Sequence, residues 1–144
     1  MKKRYSKDPQ ALQRVMGRIQ PFTPDELVQL NMPPRLSYEA MKTGKGEEDD
    51  FHTLAAVVNV CLVAGEKIGD ECVEAAKAAQ DALMRSLARN KLSGRWGLDG
   101  PAMQDLSVAL EIHEQLLALS TPSQMQGYMA EVIKRMNAGE TISE

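Results

Sequence analysis

Apolar residues recur along most of this chain every three or four positions, the spacing that lines them up on one face of an α-helix. Behind Asp8 the residues Leu12, Val15, Met16 and Ile19 keep that spacing until Pro21 stops them. From Asp50 the positions Phe51, Ala55, Val58, Leu62, Gly65, Gly69, Cys72, Ala76, Ala79 and Leu83 alternate steps of four and three. Met103, Leu106, Ala109, Leu110, Ile112, Leu116 and Leu117 repeat the pattern, as do Met125, Met129, Val132, Ile133 and Met136. The period-two alternation of a strand is poorly represented. The pattern predicts an all-α protein: one compact helical bundle of about five to seven helices over residues 1–144, with 1–7 a flexible basic N-terminus and 140–144 a frayed C-terminus.

Helix starts are written into the sequence. Thr23-Pro24-Asp25-Glu26 and Thr121-Pro122-Ser123-Gln124 each place Thr at the cap, Pro at the first helical position and Glu or Gln three after the cap. Asp8-Pro9 and Gly100-Pro101 supply two more starts. Pro33 and Pro34 disfavour helix in the residues before them, which predicts a short helix from Pro24 ending near Asn31 and a second one, carrying Leu36, Ala40 and Met41, up to Gly44. The run from Asp50 to Lys91 would measure about 63 Å as one helix, against a diameter of about 37 Å for a compact domain of this size. The helix is therefore expected to break near Gly69, with Asp70 as the next cap. A single long helix in an elongated or dimeric protein is the rival picture. The small residues Gly65, Gly69, Cys72, Ala76 and Ala79 predict a closely approaching helix neighbour.

Composition narrows this picture. With 43% hydrophobic residues but only 4% aromatic, the core must be filled by Leu, Val, Ala and the nine Met, which suits helices more than sheets. No uninterrupted apolar run reaches the about 20 residues that span a bilayer. The basic start MKKRYSK leads into amphipathic sequence rather than an apolar signal core. A cytoplasmic protein with no membrane partner is expected. Cys61 and Cys72 would lie about 16 Å apart on one helix, too far for a disulfide unless the chain folds back between them, so both are read as reduced, buried small residues.

Net charge is −3, but residues 1–46 carry nine Lys or Arg against four Asp or Glu, while residues 47–144 carry eight against sixteen. A basic first part packing on an acidic remainder accounts for the asymmetry, and a basic arm for a polyanion is the alternative.

The two histidines leave little room for catalysis. The stretch after His113 lacks the second histidine of a zincin helix. Asp49 and His52 echo one step of a di-metal bundle, but Leu110 stands where the second carboxylate would be needed three residues before His113. The acids Glu47, Glu48, Asp49 and Asp50 are read as complementing a helix N-terminus, and His113 as a satisfied imidazole at the core edge. Phosphate-binding, dinucleotide and nucleophile-elbow motifs do not occur. No cofactor, no metal and no catalytic residue is expected, with a His52- or His113-dependent enzyme as the weakest reading.

Interaction chemistry gathers around the only tryptophan, in Ser93-Gly94-Arg95-Trp96-Gly97-Leu98-Asp99. Arg89, Arg95, Trp96 and Leu98 are the expected partner-binding residues, because Trp and Arg are the side chains enriched at interface hot spots. A joint plugging the helix ends is the other reading of this loop and ranks slightly ahead of a binding site. Lys2, Lys3, Arg4, Arg85 and Lys91 are the contacts a nucleic acid would use, through phosphates with stacking on Trp96; that reading ranks second because the acidic remainder repels a polyanion.

The stretches EDDFHTLAAVVNVCLVAGEKI, AQDALMR, GRWGLDGPAMQDL and LLALSTPSQMQ together resemble a group of small uncharacterised helical proteins carried by bacterial phages and mobile elements, over about residues 20–138. The resemblance implies an accessory setting and brings no activity or cofactor. The expected function is that of a non-enzymatic, protein-binding accessory factor, with the partner unidentified and a homodimer left open.

Overall fold

A computed structural model describes residues 20–139, which form five helices: α1 (Pro24–Lys42), α2 (Glu48–Ile68), α3 (Asp70–Ser93), α4 (Gly100–Leu119) and α5 (Pro122–Asn137). Among the described residues the protein is all-α, with one isolated backbone bridge between two loops, Gly46 to Trp96. The expected helix behind Asp8 and both terminal tails lie outside the described residues.

The capping arithmetic holds at α1 and α5. Thr23 Oγ1 accepts the Glu26 amide while the Glu26 carboxylate accepts the Thr23 amide, and Thr121 and Gln124 repeat the exchange. At α4 the cap lies one residue earlier than expected: Asp99, not Gly100, accepts the Ala102 amide at 2.7 Å. At α2 the Asp50 carboxylate accepts both the Glu47 amide and the Ser37 hydroxyl, so this acid works as a helix start tied to α1.

The predicted break at Pro33-Pro34 does not occur, and α1 runs through both prolines. Their missing amides remove two intrahelical bonds, but packing on α4 offsets the loss. Tyr38 donates to the Met103 carbonyl at 2.9 Å, Arg35 grips Glu114 through two bonds at 2.7 and 3.0 Å, and Pro34 and Met41 are buried. Leu36 is 62% exposed, and with Val28 and Met32 it forms an outward row one turn apart. Ile133 and Met136 of α5 likewise lie outside the core that their spacing suggested; α5 buries only Pro122, Met125 and Val132.

The expected break at Gly69 is present, and α2 and α3 pack against each other as a helical hairpin. Gly69 itself is the cap residue, in extended backbone, with Asp70 already helical. The close approach is made at Gly65 instead. A Cβ there would lie 2.9 Å from the Val73 amide nitrogen and 3.0 Å from Cys72 Cβ. The fold-back brings Cys72 beside Gly65, one turn from Cys61, and both thiols are free. Burial pushes the Cys61 thiol up to about 12, and its Sγ donates to the Ala109 carbonyl.

Helix α2 is the hub. It packs against all four other helices, and eleven of its 21 residues are buried, which is why its sequence is the most continuously apolar. By length and composition α2 is also apolar enough to cross a membrane; 61% of its most apolar window is buried among the other helices, as in a core helix.

Candidate functional site: a cation-rimmed pocket at two helix ends

Helices α1 and α3 finish side by side, and each finishes with a left-handed glycine. After Lys42, Gly44 takes φ 79°; the Lys45 amide reaches back to the Ala40 carbonyl at 2.8 Å and the Gly44 amide to Met41 at 3.3 Å, the double bond of a Schellman ending. After Ser93, Gly94 takes φ 75° and its amide closes on the Asn90 carbonyl at 2.7 Å. Ser93 Oγ donates to the Arg89 carbonyl and accepts the Arg95 amide, turning the chain toward Trp96.

The two loops then meet. Gly46 and Trp96 pair as an antiparallel bridge, and a side chain at Gly46 would force the buried Met41 side chain to shift, since a Cβ would lie 2.5 Å from Met41 Sδ. The Trp96 indole rests on the fully buried Phe51 ring, with centroids 4.8 Å apart. The buried Ser86 hydroxyl holds the Gly97 carbonyl at 2.7 Å, and Leu98 is buried behind it. Trp96 is half-buried. It is therefore a joint first, with the rest of the ring facing a pocket.

That pocket has a volume of about 320 Å³, near the lower end for small-ligand sites (about 300–1,000 Å³). Trp96 supplies its apolar face with buried Leu98 and Met41 behind the wall, and Lys42, Arg89 and Arg95 supply its cations. All four residues expected to bind a partner, Arg89, Arg95, Trp96 and Leu98, line this one space. The sequence missed Met41 and Lys42, and with them Gly44, Ser93 and Gly97, which complete the walls. Lys42 carried a signal of its own, a cation in the last turn of a helix; that the two ends meet is a tertiary fact.

The cations differ in freedom. Arg85 is turned away, donating to Asp99 at 3.0 and 3.3 Å, and Arg89 shares the same carboxylate at 3.4 Å. The bond from Arg85 is the main reason that the Asp99 carboxyl is held down at about 2. Arg95 has no ion-pair partner among the described residues, and its Nη2 lies over Gly44 on the facing loop. Lys42 makes a long 3.8 Å pair with exposed Glu39 and lies over the Tyr38 ring, 5.9 Å from its centroid. The nucleic-acid set is not assembled here: Arg85 is committed to Asp99, Lys91 does not line the pocket, and Lys2, Lys3 and Arg4 lie outside the described residues.

The histidines stand apart from this site. His52 is exposed with Glu48 at 3.4 Å, and among the described residues no three potential metal ligands cluster. His113 was expected to be satisfied, but its enclosed Nδ1 has no hydrogen-bond partner, and burial lowers its pKa to about 4. No protein-family profile, curated protein or solved structure matches the chain.

Proposed function

We propose that the protein is a non-enzymatic accessory factor that binds a partner protein through the Trp96 pocket, in the cytoplasm of a bacterium carrying it on a phage or mobile element. The observation that carries this reading is the convergence of a half-buried tryptophan with Arg89 and with Arg95, which has no ion pair among the described residues, on one concave surface. Trp and Arg in a central pocket are the residue types that dominate interface energetics. Among the described residues the pocket lining offers cations, an indole face and one hydroxyl already engaged with the backbone. The phage or mobile-element setting rests on the resemblance of the sequence alone.

The test is quantitative affinity capture from the bacterial host with the wild-type chain, Arg95→Glu and Trp96→Phe. A protein enriched by wild type and lost in Arg95→Glu, whose folding should be intact, supports the reading. Identical capture profiles for all three chains would remove it.

A further inference from the structure

We propose that the group received by this pocket is a single carboxylate, presented by an acidic residue of a peptide segment with an apolar neighbour. The inference rests on the protein-binding reading above and gives it a chemical class. With Arg85 turned away and its charge cancelled by Asp99, Lys42, Arg89 and Arg95 line the pocket against Glu39, a local excess of two positive charges in a chain of net charge −3. The two helix C-termini that frame the space, at Lys42 and Ser93, oppose that excess with about half a negative charge each. What remains is close to one positive charge. It matches a carboxylate and falls short of a phosphate dianion or a nucleic-acid backbone, which the surplus of acids in residues 47–144 also disfavours.

Geometry agrees with the charge count. Arg95 presents a planar fork that fits two carboxylate oxygens at once, and it spans the pocket toward Gly44 without an ion pair among the described residues. Arg89 and Lys42 flank it, while the open part of the Trp96 ring, backed by buried Leu98 and Met41, offers an apolar face to the residue next to the acid. A volume of about 320 Å³ admits one or two side chains rather than an extended cofactor.

Trp96 is the chain's only tryptophan, so its emission reports directly on the pocket. The experiment titrates the full chain, at about 0.15 M salt where the Debye length is about 8 Å, with an end-blocked alternating Glu-Leu decapeptide and its Gln-Leu counterpart. Inorganic phosphate and a short oligothymidylate complete the panel. The expected result is a saturable change in Trp96 emission with the Glu-Leu peptide, at least tenfold weaker for the Gln-Leu peptide and for Arg95→Gln or Lys42→Gln. Equal affinity for the two peptides, no response to Glu-Leu, or saturation by phosphate or the oligonucleotide alone would overturn the carboxylate assignment. Partner capture that depends on Arg95→Glu but not on Arg95→Gln or the Glu-Leu competitor would retain the binding reading while removing this one. Glu-Leu binding with capture unaffected by Arg95→Glu would do the reverse.

Discussion

The indole of Trp96 lies on the ring of Phe51 with the planes tilted by 31°, so the loop that lines the pocket is anchored to the innermost helix, α2. This contact decides how the tryptophan is to be probed. Removing it should lower stability by on the order of 2 kcal/mol, less than the about 3–5 kcal/mol of a fully buried Trp, because the ring is only half-buried. Trp96→Ala should therefore melt several degrees lower and Trp96→Phe much less; a Trp96→Ala chain as stable as wild type would show that the stacking holds nothing. Thermal melts followed by circular dichroism make the comparison.

Gly65 and Gly69 look alike in the sequence and should respond oppositely to alanine. At Gly65 the new Cβ would press on the backbone of α3, and overpacking of this kind costs about 1–3 kcal/mol. At Gly69 nothing lies within 4 Å and the backbone is extended, so Ala should be neutral or stabilising by up to about 1 kcal/mol. Urea denaturation of the two variants distinguishes them.

His113 sets a pH dependence. Its folded pKa is lowered to about 4 from 6.5, because the enclosed imidazole resists charging. The unfolded chain thus binds this proton more tightly, and the stability held by neutral His113 is lost as pH falls from 6.5 toward 4, by up to about 1.4 kcal/mol per pH unit. Asp99, held at about 2 from 3.8, loses its contribution only below that window. Urea midpoints at pH 7 and pH 5 should drop for wild type and stay level for His113→Leu; parallel drops would assign the loss to other groups.

Arg135 ties the end of α5 to α2 through Glu66 at 2.9 and 2.6 Å and holds Glu131 on its own helix. With only three buried residues behind it, α5 should be the first of the five helices to exchange its amide hydrogens. Arg135→Ala should speed exchange in α5 further while α2 and α3 stay protected. Uniform acceleration across all helices would mean that α5 unfolds only with the whole domain.

Sequence pattern carried the helix ends that depend on local chemistry, because a cap is a contact between residues three apart: Thr23 with Glu26, Thr121 with Gln124. It failed at Pro33-Pro34, where the deciding contacts, Tyr38 with Met103 and Arg35 with Glu114, span 65 and 79 residues. It placed Ile133 and Met136 inside because spacing marks a face without saying whether a neighbour covers it. For the site, residue type pointed to Arg89, Arg95, Trp96 and Leu98, all on one stretch of chain. Met41, Lys42 and Gly44 reach the same pocket from the other loop, through a pairing of Gly46 with Trp96 that no periodicity encodes.

Partner capture by Arg95→Glu tests the central claim most directly, since Arg95 is exposed, has no ion-pair partner among the described residues and lies in the pocket. The prediction is a melting temperature within a degree or two of wild type together with loss of the captured partner. An Arg95→Glu chain that folds normally and captures the same proteins in the same amounts would contradict the account.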